Sequence, residues 1–112
     1  MSEIKLHEGE WYANFKNEVF IRCLHKLFPR PLSELIASTD GSSSANLEWL
    51  NYNAAILKTV DSLANEFTKR TEASWVIEGR KVTMNVCMQY RNSPELDAIA
   101  VYFFNKREEL ID

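Results

Sequence analysis

The side chains that could move a proton, attack a carbonyl or hold a metal are few and widely spaced in this chain. Its two histidines, His7 and His25, have no evident acidic partner, and a proton-transferring imidazole needs an orienting group within hydrogen-bond reach. Asp97 opens a predicted strand, where a solvated carboxylate is expected, because burying an unpaired charge is costly. The polar stretch STDGSSS at residues 38–44 has one glycine and no following Gly-Lys pair, so it lacks the pattern of a phosphate-cradling loop. Cys23 and Cys87 are far apart, form no CxxC pair and lie in apolar-patterned segments, where a thiol behaves as a small buried hydrophobe. The expectation is a chain without metal or cofactor, holding unpaired thiols in a reducing compartment.

Charge narrows the partners. Thirteen basic against sixteen acidic residues give a net charge of -3, which exerts no long-range attraction on nucleic acid or anionic lipid. The pairs Lys69-Arg70, Arg80-Lys81 and Lys106-Arg107 fall near predicted element ends, where solvated charge is ordinary. Residues 1–10 carry Glu3, Lys5, Glu8 and Glu10 with no apolar run, so they resemble neither a secretory signal nor a membrane anchor. No uncharged apolar stretch approaches the ~18 residues that a bilayer crossing needs. A cytoplasmic protein folded as one domain over residues 1–112 is expected, with a tail at 1–9 and a mobile polar loop at 38–45.

The elements that must position these residues follow from periodicity. Trp11, Phe15, Val19, Cys23 and Leu27 recur at helical spacing and predict a first helix over 10–28, which Pro29 and Pro31 end. PLSELIA predicts a short second helix over 31–37 with Leu32, Leu35 and Ile36 inward, and a third follows over 46–67. From residue 81 the period shifts to two: Val82, Met84, Val86, Met88 and Tyr90 alternate with polar residues, the pattern of a half-buried strand over 81–91. Residues 73–77 pair with it across a Glu78-Gly79-Arg80 turn, Asn92 to Glu95 makes the next turn, and LDAIAVYFF at 96–104 reads as a central strand. A short last strand is expected at 109–112.

This order, with EASWVIEGRKVTMNVCMQYR and LDAIAVYFFNKREELID as long paired strands, resembles the nuclear transport factor 2-like superfamily, including its SnoaL-like and steroid-isomerase branches. The resemblance implies an α+β cystatin-like roll, with three N-terminal helices packed on a curved antiparallel sheet of three to four strands that closes as a cone. It also implies that Trp75, Met84, Met88, Tyr90 and Tyr102 would line any pocket, or pack as core. The tyrosine, acid and base of the isomerase branch would fall on Leu24, Ala100 and the region of Asp40, and two of the three lack the needed group.

Three functional readings remain. The main one is a non-catalytic domain that binds a small hydrophobic ligand or forms a homodimer through its sheet. The others are an isomerase, dehydratase or cyclase acting in the cone, and a small acidic inhibitor or immunity factor that occupies a partner's surface.

Overall fold

The computed structural model describes residues 3–110, with side chains from residue 7 onward. Helix α1 (Glu3–Leu27) is the axis. Its Trp11, Phe15, Val19 and Cys23 are all 2% exposed or less, at successive steps of four residues along one face. At 1.5 Å per residue its 25 residues span about 37 Å, most of the molecule's 47 Å longest dimension. The predicted first helix is therefore present and starts earlier: the segment expected as a tail is helical from Glu3.

Helices α2 (Arg30–Thr39) and α3 (Ser42–Trp49) meet at Asp40-Gly41, where a mobile loop was expected. Pro31 starts α2 well, since its missing amide proton is one that a first helical turn leaves unpaired anyway. The inward face predicted for α2 is corrected: Leu32 and Leu35 are exposed and Ser33 is buried, its hydroxyl donating to the His25 carbonyl at 3.1 Å.

The predicted helix over 46–67 is two helices. Asn51 and Tyr52 take left-handed conformations (φ 56° and 50°) that end α3, and Asn53 caps α4 (Ala54–Thr68) by accepting the Ile56 amide at 3.1 Å. Helix α4 buries Ile56, Val60, Ala64 and Phe67 against α1.

The α+β roll is not what the chain forms. Among the described residues the only sheet is the two-stranded ribbon β1 (Val76–Ile77) and β2 (Arg80–Lys81), joined across Glu78 and Gly79, which both have positive φ (55° and 77°) as a tight primed turn requires. A 3₁₀ turn at Thr71–Ser74 precedes it. The predicted strands over 81–91 and 96–104 are helices α5 (Thr83–Arg91) and α6 (Pro94–Lys106). The strand expected at 109–112 lies partly outside the described residues, and Glu109 within it is in a turn. Among the described residues there is no curved sheet and no cone, so the nuclear transport factor 2-like resemblance falls, and the sheet and cavity through which a homodimer or a small ligand was expected are not there.

The physical reasons are local. Helix α6 opens with Ser93, whose hydroxyl accepts the Leu96 amide at 3.1 Å, then Pro94 and the acidic Glu95 and Asp97 in the first turn, a combination that favours a helix start over a strand. Its buried residues, Leu96, Ala100 and Phe104, are four apart. In α5 the buried residues are Thr83, Val86, Cys87 and Tyr90, the spacing of a helix face, while Met84 and Met88 point to solvent. Helices α3, α4, α5 and α6 all pack on α1.

Cys23 and Cys87 are not free thiols. They are joined in a disulfide that ties the C-terminal part of α1 to the middle of α5, with Cα atoms 5.8 Å apart and a sequence separation of 64. Constraining a loop of that length in the unfolded chain stabilises the fold by about 4 kcal/mol in the chain-entropy picture.

The strand and helix assignments for 83–91 make opposite demands on neighbouring residues. A strand would bury Met84 and Val86 together; the helix buries only Val86, 1% exposed against 58% for Met84. We expect Val86→Asp to cost about 4 kcal/mol in urea denaturation and Met84→Asp to change stability by about 0.5 kcal/mol or less. Comparable losses at both positions would contradict the helix.

Candidate functional site

Of the acids and histidines singled out from the sequence, Asp97 and His7 are engaged with separate partners, while Asp40 and His25 line one groove. Asp97 is ion-paired with Lys16 at 2.8 Å. Asp40 is exposed and accepts the Ser42 amide at 3.0 Å; its hydrogen bonds with the Ser42 side chain and then the Ser42 backbone hold its carboxyl below the usual range. His7 packs its ring 5.6 Å from that of Trp49. His25 faces the side of α1 toward α2, and Leu24 lines the same groove while Ala100 is buried in α6. Asp40 lines that groove as well, with no hydrogen bond or ion pair joining it to His25 among the described residues.

One charged group is deeply buried. Glu18, 1% exposed, accepts hydrogen bonds from Ser43 Oγ at 2.8 Å, Asn46 Nδ2 at 3.2 Å and Arg22 Nε at 3.0 Å. Arg22 and Lys26 both reach Asp61 of α4, at 3.5 and 3.2 Å. A buried carboxylate so supplied with donors fixes the geometry of its neighbours. Here it holds the start of α3 and the flank of α4 to α1. Beside it runs a groove of about 680 Å³, with Phe20, Ile21, Leu24, Ile36 and Met88 on its walls and Ser42, Ser43 and Ser44 along one rim.

A second polar clasp joins the segment just after α4 to the start of α6. Arg70 forms a forked pair with Glu95, one arm at 2.9 Å, and its guanidinium lies 5.2 Å from the Tyr90 ring and 5.5 Å from that of Phe67. Tyr90 is thus a core residue, stacked on Phe67 with centroids 4.4 Å apart. Burial, then the Glu95 charge, raises its hydroxyl pKa against the opposing pull of Arg70.

Of the other four residues expected to line a cavity, Met88 is on the groove wall, and all four are exposed. Trp75, Met84, Met88 and Tyr102 are exposed by 45, 58, 44 and 56%. With Val76 and Ile77 on the ribbon, exposed by 55 and 61%, Trp75 and Met84 form a run of apolar side chains on either side of the Glu78-Gly79 turn. The outward placement of Met84 and Met88 depends on α5 being a helix, and that of Tyr102 on α6 being one, so neither is legible in a strand pattern. The disulfide and the Arg70–Glu95 clasp were hidden too, since each joins residues far apart in sequence.

What this arrangement offers is contact: a small helical scaffold carrying apolar side chains on a projecting ribbon and the helix after it, the make-up of a protein-binding module. A family model agrees and is more specific. Residues 13–100 match Tai4, type VI secretion system (T6SS), amidase immunity protein. The chain belongs to that family, which replaces the nuclear transport factor 2-like assignment made from element order. No curated protein and no solved structure matches the chain.

The Arg70–Glu95 clasp carries a pH signature. Hydrogen bonding to Arg70 lowers the Glu95 carboxyl pKa from its ordinary value of 4.5. A group with a lowered folded pKa contributes stability that is full above its unfolded value and lost as pH falls through the folded one. We expect the melting temperature of the native chain to fall more steeply below pH 4.5 than that of Glu95→Gln, with the two curves parallel above it. Parallel curves throughout would mean that the clasp contributes nothing.

Proposed function

We propose that this chain is the immunity partner of a type VI secretion amidase and that it binds that enzyme through the ribbon and α5. Family membership supports the partner class. The observation that carries the surface is the exposure of Trp75, Val76 and Ile77 on a ribbon fixed by a tight turn, directly ahead of the outward-facing Met84 and Met88. Large apolar side chains held rigidly in solvent lose little conformational entropy on binding, and Trp is favoured among residues that dominate interface energy. Methionines beside them adapt to the partner's relief.

The charges on the ribbon, Glu78, Arg80 and Lys81, serve a different end. They interrupt an otherwise apolar edge and so discourage pairing between copies of the chain. As a binding surface the ribbon is mixed in sign, which suits complementarity with a specific partner over general attraction.

The compartment follows from the disulfide. No described helix is long and apolar enough to cross a membrane. The expectation of a cytoplasmic protein rested on unpaired thiols, and the Cys23–Cys87 bond removes that support. We place the working protein where disulfides persist.

The test is a titration of the purified chain against the amidase of the same secretion system, followed by calorimetry and by amide hydrolysis. The native chain should bind and suppress hydrolysis. Trp75→Ala and Ile77→Asp should each weaken binding roughly thirtyfold, the scale of about 2 kcal/mol for an interface hot spot, with no change in melting temperature. Lys58→Ala, exposed on α4, should bind as the native chain does. Full inhibition by the ribbon variants would move the interface elsewhere.

A further inference from the structure

Helix α5 depends on its attachment. It has nine residues, no side-chain cap at its N-terminus and a composition (TMNVCMQYR) rich in poor helix formers, so it would not be stable in isolation. Tertiary docking holds it: on α1 through the Arg91 to Asn17 hydrogen bond at 2.9 Å and the disulfide, on α4 through Tyr90 stacked on Phe67, and in the core through Val86. The ribbon in turn depends on α5. Its strands are two residues each, its apolar side chains are exposed, and it is anchored where the Val82 amide donates to the Trp75 carbonyl at 3.1 Å, one residue before α5 begins. A two-stranded ribbon of this size has no independent stability. The chain of support therefore runs from α1 through the Cys23–Cys87 bond to α5 and on to the ribbon.

We propose that the Cys23–Cys87 disulfide is a maturation switch for partner binding: the oxidised chain presents the ribbon and α5 in binding geometry, and the dithiol chain does not. This rests on the reading of the ribbon and α5 as the amidase-binding surface. Both cysteines are 0% exposed, so the bond forms before α5 docks and is shielded from external thiols afterwards. Its formation needs a disulfide-bearing oxidant, either a protein disulfide or a glutathione-type disulfide. The Cys23 thiolate attacks one oxidant sulfur and forms a mixed disulfide, releasing the other as a thiolate. The Cys87 thiolate then attacks the Cys23 sulfur and displaces the second oxidant thiolate. Two protons and two electrons leave the chain, and the oxidant ends as a dithiol. A chain newly made in a reducing compartment would thus carry an unformed surface, and oxidation would complete it.

The experiment compares three species: the oxidised chain, the chain folded in a phosphine reductant with both thiols confirmed by alkylation mass, and Cys23→Ala/Cys87→Val, which refills the site with apolar volume. Hydrogen exchange should show amides 75–91 losing their protection in the two bond-free species, while α1 and α4 amides, faster only by the bond's contribution to global stability, remain protected. Unchanged protection of 75–91, or equal loss of protection in α1 and α4, would overturn the switch, the second because the bond would then hold the whole fold. Titration with the amidase separates the two ideas. If bond-free and oxidised chains bind alike, the switch is wrong and the immunity reading stands. If the oxidised chain does not bind, the immunity reading is wrong, and with it any role for the bond in partner binding.

Discussion

The structure depends on one long helix being covered along its length. Trp11, Phe15, Val19 and Cys23 make α1 a rod with a continuous apolar face, and such a face has to be buried against something. No large sheet is present among the described residues to bury it, so four short helices pack around it. Trp11 stacks on Phe15 and meets Phe104 edge to face, with centroids 5.3 and 5.4 Å apart, so the start of α1 and the end of α6 share one aromatic cluster. Glu18 sits in the same helix with its carboxylate out of water. That costs free energy unless donors surround it, and the serine-rich start of α3 supplies them. The polar segment 38–44, which looked like a free surface loop, is in part held in place by this one acid.

The sequence was most legible where period and burial agree. In α1 and α4 the apolar residues follow a helical step and nothing competes with it. The loss of legibility after residue 81 has a specific cause. Val86 and Tyr90 are four apart, and four is a multiple of the strand period as well as one helical turn, so both patterns contain them. What separates the patterns is the pair Thr83 and Cys87, buried in the helix and outward in the strand, and the pair Met84 and Met88, which do the reverse. Hydrophobicity favoured the methionines as the buried set. Burial of the disulfide and the stacking of Tyr90 on Phe67 decided otherwise, and neither is visible in local pattern.

In α6 the ambiguity was of another kind. LDAIAVYFF is apolar in every direction, so it carries no period to read, and a short run of that sort fits a central strand as well as a buried helix. The deciding signal lies before it: Ser93, Pro94 and Glu95 form a helix cap whose residue types also suit a plain turn. Once two helices are misread as strands, element order resembles a helix-then-sheet family, and residues such as Leu24 and Ala100 acquire counterparts in active sites they do not share. The resemblance also gave Trp75, Met84, Met88 and Tyr102 a place on the wall of a cone; on a helical scaffold without that cone the same large side chains are exposed by 44 to 58%.

That exposure has to be weighed against its cost. Large apolar residues in water promote association, and a short ribbon edge offers free backbone groups as well. The chain limits the hazard by keeping the strands at two residues, by closing them with a turn whose positive φ values fix the register, and by setting Glu78, Arg80 and Lys81 among them. The same features limit the ribbon's own cohesion, so it cannot hold its shape without support from α5. A binding surface that is small, apolar and weakly self-supporting requires its rigidity to come from behind. The covalent link between α1 and α5, set within the core packing of Val86 and Tyr90, supplies that support.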